Sequence, residues 1–240
     1  MIGERTYKLI IQEAHALSDK QRALVSQSFF KTGVGEYGEG DVFIGLTVPV
    51  CRQIAKKWKD ATFDDIEKLL SSTEHEFRLI GLLILIEQYA AKPEAVYKFL
   101  LAHLKSVNNW DLVDSVAPAI IGTHLLTRPR DVLYKLAVHE RLWYRRIAVV
   151  ATQTFIRNGQ FEDTLRISEI LLSDSQDLMH KAVGWMLREV GKRDKRILLD
   201  FLANHSHKMP SVMMSYAMEH LPKTLRTTIR KEAKILKKKD

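Results

Sequence analysis

Trp110-Asp111-Leu112-Val113-Asp114-Ser115 can be laid over three other stretches: Phe77-Arg78-Leu79-Ile80-Gly81-Leu82, Arg145-Arg146-Ile147-Ala148-Val149-Val150 and His180-Lys181-Ala182-Val183-Gly184-Trp185. Their second positions fall at 78, 111, 146 and 181, which gives spacings of 33, 35 and 35 residues. Each stretch is followed by a further helical pattern before the next begins. Two-helix units at this period predict an all-α helical-repeat solenoid of the HEAT-like or armadillo-like kind, with a concave face. The equivalent helix of every unit would line that face. Trp110, Asp114, one or both of Arg145 and Arg146, and Trp185 would then share a groove.

Outward from these stretches the helical pattern scarcely stops. Residues 4–31 predict two helices separated near Leu17-Ser18-Asp19, with Ser18 as a good N-cap. A helix follows Phe43-Ile44-Gly45-Leu46-Thr47-Val48-Pro49, with Pro49 in its first turn, and runs to about Trp58. Further helices are expected at 62–71, 74–91, 94–105, 109–120, 129–139, 142–157, 162–172, 175–191, 194–203, 210–219 and 222–237. Capping or breaking residues separate them, among them Pro93, Pro129, Asn158-Gly159, Pro210 and Pro222. No run alternates as a strand does. Residues 1–240 thus predict one repeat domain, with 1–42 as N-terminal helices and a Gly-rich loop and 222–240 as a basic C-terminal helix and tail.

That loop contains a literal G-x-G-x-x-G at Gly33, Gly35 and Gly38. No strand precedes it, and Glu36, Glu39 and Asp41 would repel a phosphate held by its amides. A flexible connection is expected there.

The chain has 240 residues and a net charge of +8. Residues 222–240 carry eight Lys/Arg and two Asp/Glu, so +6 belongs to this tail and +2 to everything before it. Charge alone is therefore only a modest argument for a polyanion partner. The first residues lack the apolar core of a signal peptide, and the longest apolar run, 79–86, cannot span a bilayer. The single cysteine, Cys51, leaves no internal disulfide and predicts a reducing, cytoplasmic home. With no nearby His, Cys51 is expected to be a buried thiol. Nine histidines include no H-E-x-x-H and no cysteine partner, which argues against a metal.

Trp110 and Asp114 are four residues apart and share one helix face, while Leu112, Val113 and Val116 serve the core. Asn108 or Asn109 can cap the turn, and Asp111 suits the N-terminal dipole. Asp114 is left without a structural reason. Trp185 lies among Lys181, Arg188 and Glu189, away from the stripe of Val183, Leu187 and Val190. A tryptophan flanked by cations suits a nucleic-acid backbone.

Together these residues resemble the AlkD-type DNA alkylation repair proteins, which are DNA glycosylases built of HEAT-like repeats. The resemblance runs to about residue 220. It rests on Phe43-Ile44-Gly45-Leu46-Thr47-Val48-Pro49, Asn109-Trp110-Asp111-Leu112-Val113-Asp114, Leu142-Trp143-Tyr144-Arg145-Arg146-Ile147-Ala148 and Lys181-Ala182-Val183-Gly184-Trp185-Met186-Leu187-Arg188-Glu189. It implies that Asp114 is the catalytic carboxylate, that Trp110 and Trp185 are the groove tryptophans, and that Arg146 is the arginine of the third segment. Arg188 matches a backbone-binding arginine, and Tyr37 matches a loop tyrosine. Thr47 and Val48 occupy a turn that contacts the DNA backbone, where Val48 could offer only its amide. Lys181 and Arg145 complete the expected DNA contacts.

The implied substrates are N3-alkylated adenine and N7-alkylated guanine in double-stranded DNA, excised by a monomer without metal or cofactor. Such cationic bases leave as neutral molecules, so no general acid is needed. A carboxylate near C1′ would stabilise the positive charge on the sugar, and tryptophan faces would favour the same charge. The rival expectation is a non-catalytic helical scaffold that binds nucleic acid or protein with the same face.

Overall fold

The computed structural model describes residues 2–238. Met1 lies outside the described residues, as do Lys239 and Asp240 at the end of the basic tail. Apolar side chains at helical intervals build the structure. In the helix Asp177–Arg193, Met179, Ala182, Val183, Met186, Leu187 and Val190 are buried and recur every three or four residues. Each buried Val, Leu or Met among them contributes about 1.5–3 kcal/mol by leaving water, and Ala182 less. His75–Tyr89 is different, because its apolar run is buried nearly all round. It therefore packs between Val48–Lys57, Phe63–Leu70, Pro93–Ala102 and Trp110–Val116.

The protein is all-helical, and the described residues contain no strand beyond a lone parallel bridge between Val42 and Glu74. Its order of paired helices is that of the expected helical repeats. Contacts divide the chain into two compact units, Met1–Val116 and Ala117–Asp240. In the first, a capping box starts Phe63–Leu70: the Thr62 hydroxyl accepts from the Asp65 amide, and Asp65 accepts from the Thr62 amide. Trp58 is a fold residue, since its indole N–H donates to Glu13 at 2.8 Å. In the second unit, Gly184 lets Ser211–Ala217 approach closely. A Cβ there would stand 2.5 Å from the Met213 carbonyl oxygen and 2.6 Å from the Tyr216 Cβ.

Four local expectations change. Asp19, not Ser18, caps Lys20–Phe29, accepting from the Arg22 amide at 2.9 Å. The Ser18 hydroxyl instead donates to the His15 carbonyl. The helix expected over 109–120 is α-helical only over Trp110–Val116 and continues as a π-helix over Ala117–Gly122. Pro118 has no N–H for the carbonyl four residues back, so the regular ladder cannot continue. The helix expected over 142–157 is broken at Thr152, whose hydroxyl donates to the Val149 carbonyl at 2.6 Å. The Gly-rich loop is tied down rather than loose: Gly33 and Gly35 donate their amides to Glu36 and Glu39 at 3.0 and 2.9 Å. The loop's own carboxylates thus occupy the donors that a phosphate would need.

Candidate functional site

Asn109 starts the central turn. Its Oδ1 accepts from the Trp110 amide at 2.8 Å, its carbonyl accepts from the Val113 amide, and its Nδ2 donates to Asp41 at 3.2 Å. Of the two asparagines able to cap, Asn109 is thus the one that does. Leu112, Val113 and Val116 are buried, while Trp110 and Asp114 are half-buried and one turn apart. Trp110 stacks on Phe30 with centroids 5.2 Å apart, and Phe29 meets it edge-on at 6.0 Å. The stack continues inward from Phe30 to Phe43 at 4.8 Å and from Phe43 to His75 at 4.5 Å. The Tyr37 hydroxyl donates to the Phe29 carbonyl at 3.3 Å, which ties Tyr37 to the segment bearing on Trp110.

Behind this turn lies a buried charged network. His75 Nδ1 is 2.9 Å from Asp41 Oδ2, and its Nε2 is 2.8 Å from Asp111 Oδ2. Arg78 donates to Asp41 Oδ1 at 2.5 Å. Burial would lower the His75 pKa, but its bonds to Asp111 and Asp41 prevail and hold it above the ordinary histidine value. Burial would raise that of Asp41, but the His75 hydrogen bond and the Arg78 charge bring it below the ordinary value. Asp111 therefore does more than complement a helix dipole. Both nitrogens of His75 face carboxylates, so this imidazole is not poised as a base for a nucleophile.

Thr47 and Val48 begin Val48–Lys57, and their turn is shaped by Glu76. The Glu76 carboxylate is buried and accepts from the amides of Ile44, Gly45 and Leu46 at 3.1, 2.8 and 3.1 Å. Gly45 has φ +83°, and a Cβ there would lie 2.1 Å from the Asp19 carbonyl oxygen. Thr47 is the N-cap residue but makes no side-chain cap bond, and the first turn holds no acid. Its amide end therefore suits an anion. Cys51 is buried in this helix. Burial first, then the charges of Glu76 and Asp111, push its thiol up to about 12.

Arg145, Arg146, Lys181, Trp185 and Arg188 belong to the second unit. Arg145 is committed to the fold. It meets Asp174 at 2.6 and 3.2 Å and donates to the carbonyls of His139 and Glu140. Arg78 likewise donates to the carbonyls six and five residues before it, and His180 is 2.6 Å from the Asp174 carbonyl oxygen six before it. The structural repeat thus aligns 78 with 145 and 180, one residue away from the spacing-based match to 146 and 181. Arg146 is buried, with Nη1 donating to the Leu178 carbonyl at 2.9 Å. Trp185 is half-buried. Lys181 pairs with Asp177 at 2.7 Å, and Arg188 pairs with Glu219.

His75 and Asp41 were absent from the sequence-based set. Each is over 30 residues from its partner, and no spacing rule joins them. The nearest signal was an acid and a histidine each adjoining a matched segment.

An all-α repeat with an acid and a tryptophan on one buttressed turn defines a class of helical-repeat proteins rather than a single activity. The family model described as DNA alkylation repair enzyme matches residues 10–221, and the chain belongs to that family. The fold is similar to that of a predicted DNA alkylation repair enzyme from Enterococcus faecalis, at 15% identity and a TM-score of 0.71, over 86% of this chain and 97% of that one. No curated protein matches the chain in sequence. No helix among the described residues is long and apolar enough to cross a membrane.

Proposed function

We propose that this protein is a DNA glycosylase that hydrolyses the N-glycosidic bond of cationic alkylated purines, N3-alkyladenine and N7-alkylguanine, in duplex DNA. The observation that carries this reading is the Trp110–Asp114 turn: two half-buried groups on one face, backed by a network that fixes the helix start. As the bond from C1′ to the base nitrogen breaks, its electron pair neutralises the base. Asp114 stabilises the positive sugar and orients water, which adds hydroxide to C1′ and releases a proton. Trp110 offers an aromatic surface to the same cationic charge. No acid is required, because the leaving base is neutral.

Arg146 and Trp185 are assigned to the same duplex, as are Thr47, Val48, Tyr37, Lys181 and Arg188. The pairs made by Lys181 and Arg188 are at least partly exposed and exchange readily for phosphate. The phosphate role is given to Arg146 on the resemblance. Arg146 is buried with Nη1 on the Leu178 carbonyl, while Arg145 is held by Asp174, so comparison of the two variants decides between them. We place the enzyme in the cytoplasm as a monomer, and size-exclusion chromatography of the full chain with and without duplex tests the latter.

The deciding experiment measures release of N7-methylguanine from methylated duplex DNA by wild type and by Asp114→Asn. Wild type should release the base, and the variant should lose about 100-fold or more of the rate while still binding duplex. No release by wild type sinks the glycosylase reading and leaves a DNA-binding scaffold.

A further inference from the structure

We propose that His75 is a positioning residue for the Trp110–Asp114 turn, acting through Asp111 and through the ring stack that ends on Trp110. The proposal rests on the glycosylase reading of that turn. His75 begins the central helix of the first unit and is almost wholly buried. Its two nitrogens address two other segments: Asp41 at the end of the Gly-rich loop and Asp111 in the first turn of Trp110–Val116. One ring face carries Phe43, and Phe30 leans on the same imidazole at 5.1 Å before stacking on Trp110. A single side chain therefore meets the turn twice, once by hydrogen bond and once through aromatic contact.

The protonation state follows from the acceptors. A neutral imidazole donates from one nitrogen only and would turn a lone pair toward the other carboxylate. Two carboxylates at 2.8–2.9 Å require both nitrogens to donate, so the bridging form is the imidazolium. The charged and titratable groups around it come from four segments. They are Asp41 from the loop, Asp111 from Trp110–Val116, and Arg78 from its own helix, with Cys51 of Val48–Lys57 facing the Asp111 and Glu76 charges. Asp41 is also met by the amides of Asn108 and Asn109. Among the groups bonded to one another, the Asp41 and Asp111 carboxylates balance the Arg78 guanidinium and the imidazolium, while the nearby Glu76 carboxylate is held separately by the amides of Ile44, Gly45 and Leu46. Loss of the imidazolium proton leaves a net negative charge in a buried place and breaks one of the two bridges.

The His75 value is raised, so the bridge is complete below the ordinary histidine pKa and is lost as pH rises through the raised one. The consequence for the turn is directional. Trp110 should be fixed on the acid side and should shift on the alkaline side.

The test uses the full chain labelled with 5-fluorotryptophan, the Trp110 fluorine signal being identified by its absence in Trp110→Phe. Wild type is titrated from about pH 6 upward through the whole alkaline range in which the chain stays folded, and Asp111→Asn is titrated alongside it. The Trp110 signal should titrate in wild type, with a lower midpoint in Asp111→Asn, because that variant removes a charge that favours the imidazolium. His75→Phe keeps a ring in the stack and removes both hydrogen bonds. Its Trp110 signal should not titrate, and its excision of N7-methylguanine should fall about 100-fold with duplex affinity unchanged. A flat Trp110 signal in wild type overturns the proposal, and so does wild-type excision by a folded His75→Phe. If wild type releases no base, the glycosylase reading falls, and the fluorine titration still decides whether His75 positions Trp110. If wild type excises, Asp114→Asn does not, and the Trp110 signal is flat, only the His75 assignment falls.

Discussion

Glu76 gives the sharpest energetic prediction, because one carboxylate satisfies three consecutive amides. Ile44 N–H donates to Oε2, whereas Gly45 and Leu46 both donate to Oε1. Gly45 and Leu46 are buried, so Glu76→Ala strands two donors with little access to water, and Ile44 is half-buried. A stranded buried donor costs about 1–3 kcal/mol. Taking about 2 for each buried amide and about 1 for Ile44 predicts a loss of about 5 kcal/mol for Glu76→Ala. Glu76→Gln is a graded control. Its amide oxygen can keep Gly45 and Leu46, while its NH2 faces the Ile44 N–H and loses that bond, so it should lose about 1–3 kcal/mol. Urea midpoints measure both, and hydrogen exchange at residues 44–46 reports whether the loss is local. The reasoning is refuted if Glu76→Ala costs under about 1 kcal/mol, or if Gln costs as much as Ala. The stakes reach function, because these amides lead directly into the Thr47–Val48 turn assigned to the DNA backbone.

Two further outcomes are expected. Arg145→Ala leaves the Asp174 carboxylate, 3% exposed, without its partner and should cost about 3–5 kcal/mol in urea melts. Excision per folded molecule should hold, whereas Arg146→Ala should weaken excision about tenfold or more, and the reverse ranking would return the phosphate contact to Arg145. The Asp41 pKa is lowered, so its contribution is present above the unfolded value of about 4 and is lost as pH falls through the folded one. Asp41→Asn should therefore flatten the acid limb of a stability–pH curve, and an unchanged acid limb would show that Asp41 is not what fails there.

The helices were legible because their signal is local. Apolar residues three and four apart mark a buried stripe whatever lies beyond, but the pattern over 109–120 runs on through Pro118 and hides the π-helical continuation that its missing N–H imposes. The Trp110–Asp114 face was legible for the same reason. The network behind it was not, because Asp41, His75 and Asp111 meet only when three segments pack together. The repeat register was missed by one residue for a related reason. Spacing aligned hydrophobic hexads, whereas the shared structural feature is a side chain that reaches back to carbonyls five or six residues earlier. Arg78, Arg145 and His180 have that feature, and it separates Arg145 from Arg146 where letters could not.

Trp110, Arg146 and Trp185 each adjoin in sequence a residue that the fold demands. Asn109 and Asp111 flank Trp110, Arg145 precedes Arg146, and Gly184 precedes Trp185. Adjacent helical positions are about 100° apart, so one can face a neighbouring element while the next faces elsewhere. This arrangement has a consequence for how the motifs are weighed. Part of what makes Asn-Trp-Asp or Gly-Trp specific is structural and would persist in a protein that had lost excision. Asp114 is different. Its neighbours secure this stretch of helix, Val113 by burial and Ser115 by donating to the Asp111 carbonyl at 2.8 Å. Asp114→Asn keeps the size of the side chain and removes its charge, so it tests the proposed chemistry with little disturbance of the helix, and a urea melt of the same variant measures what the carboxylate contributes to the fold.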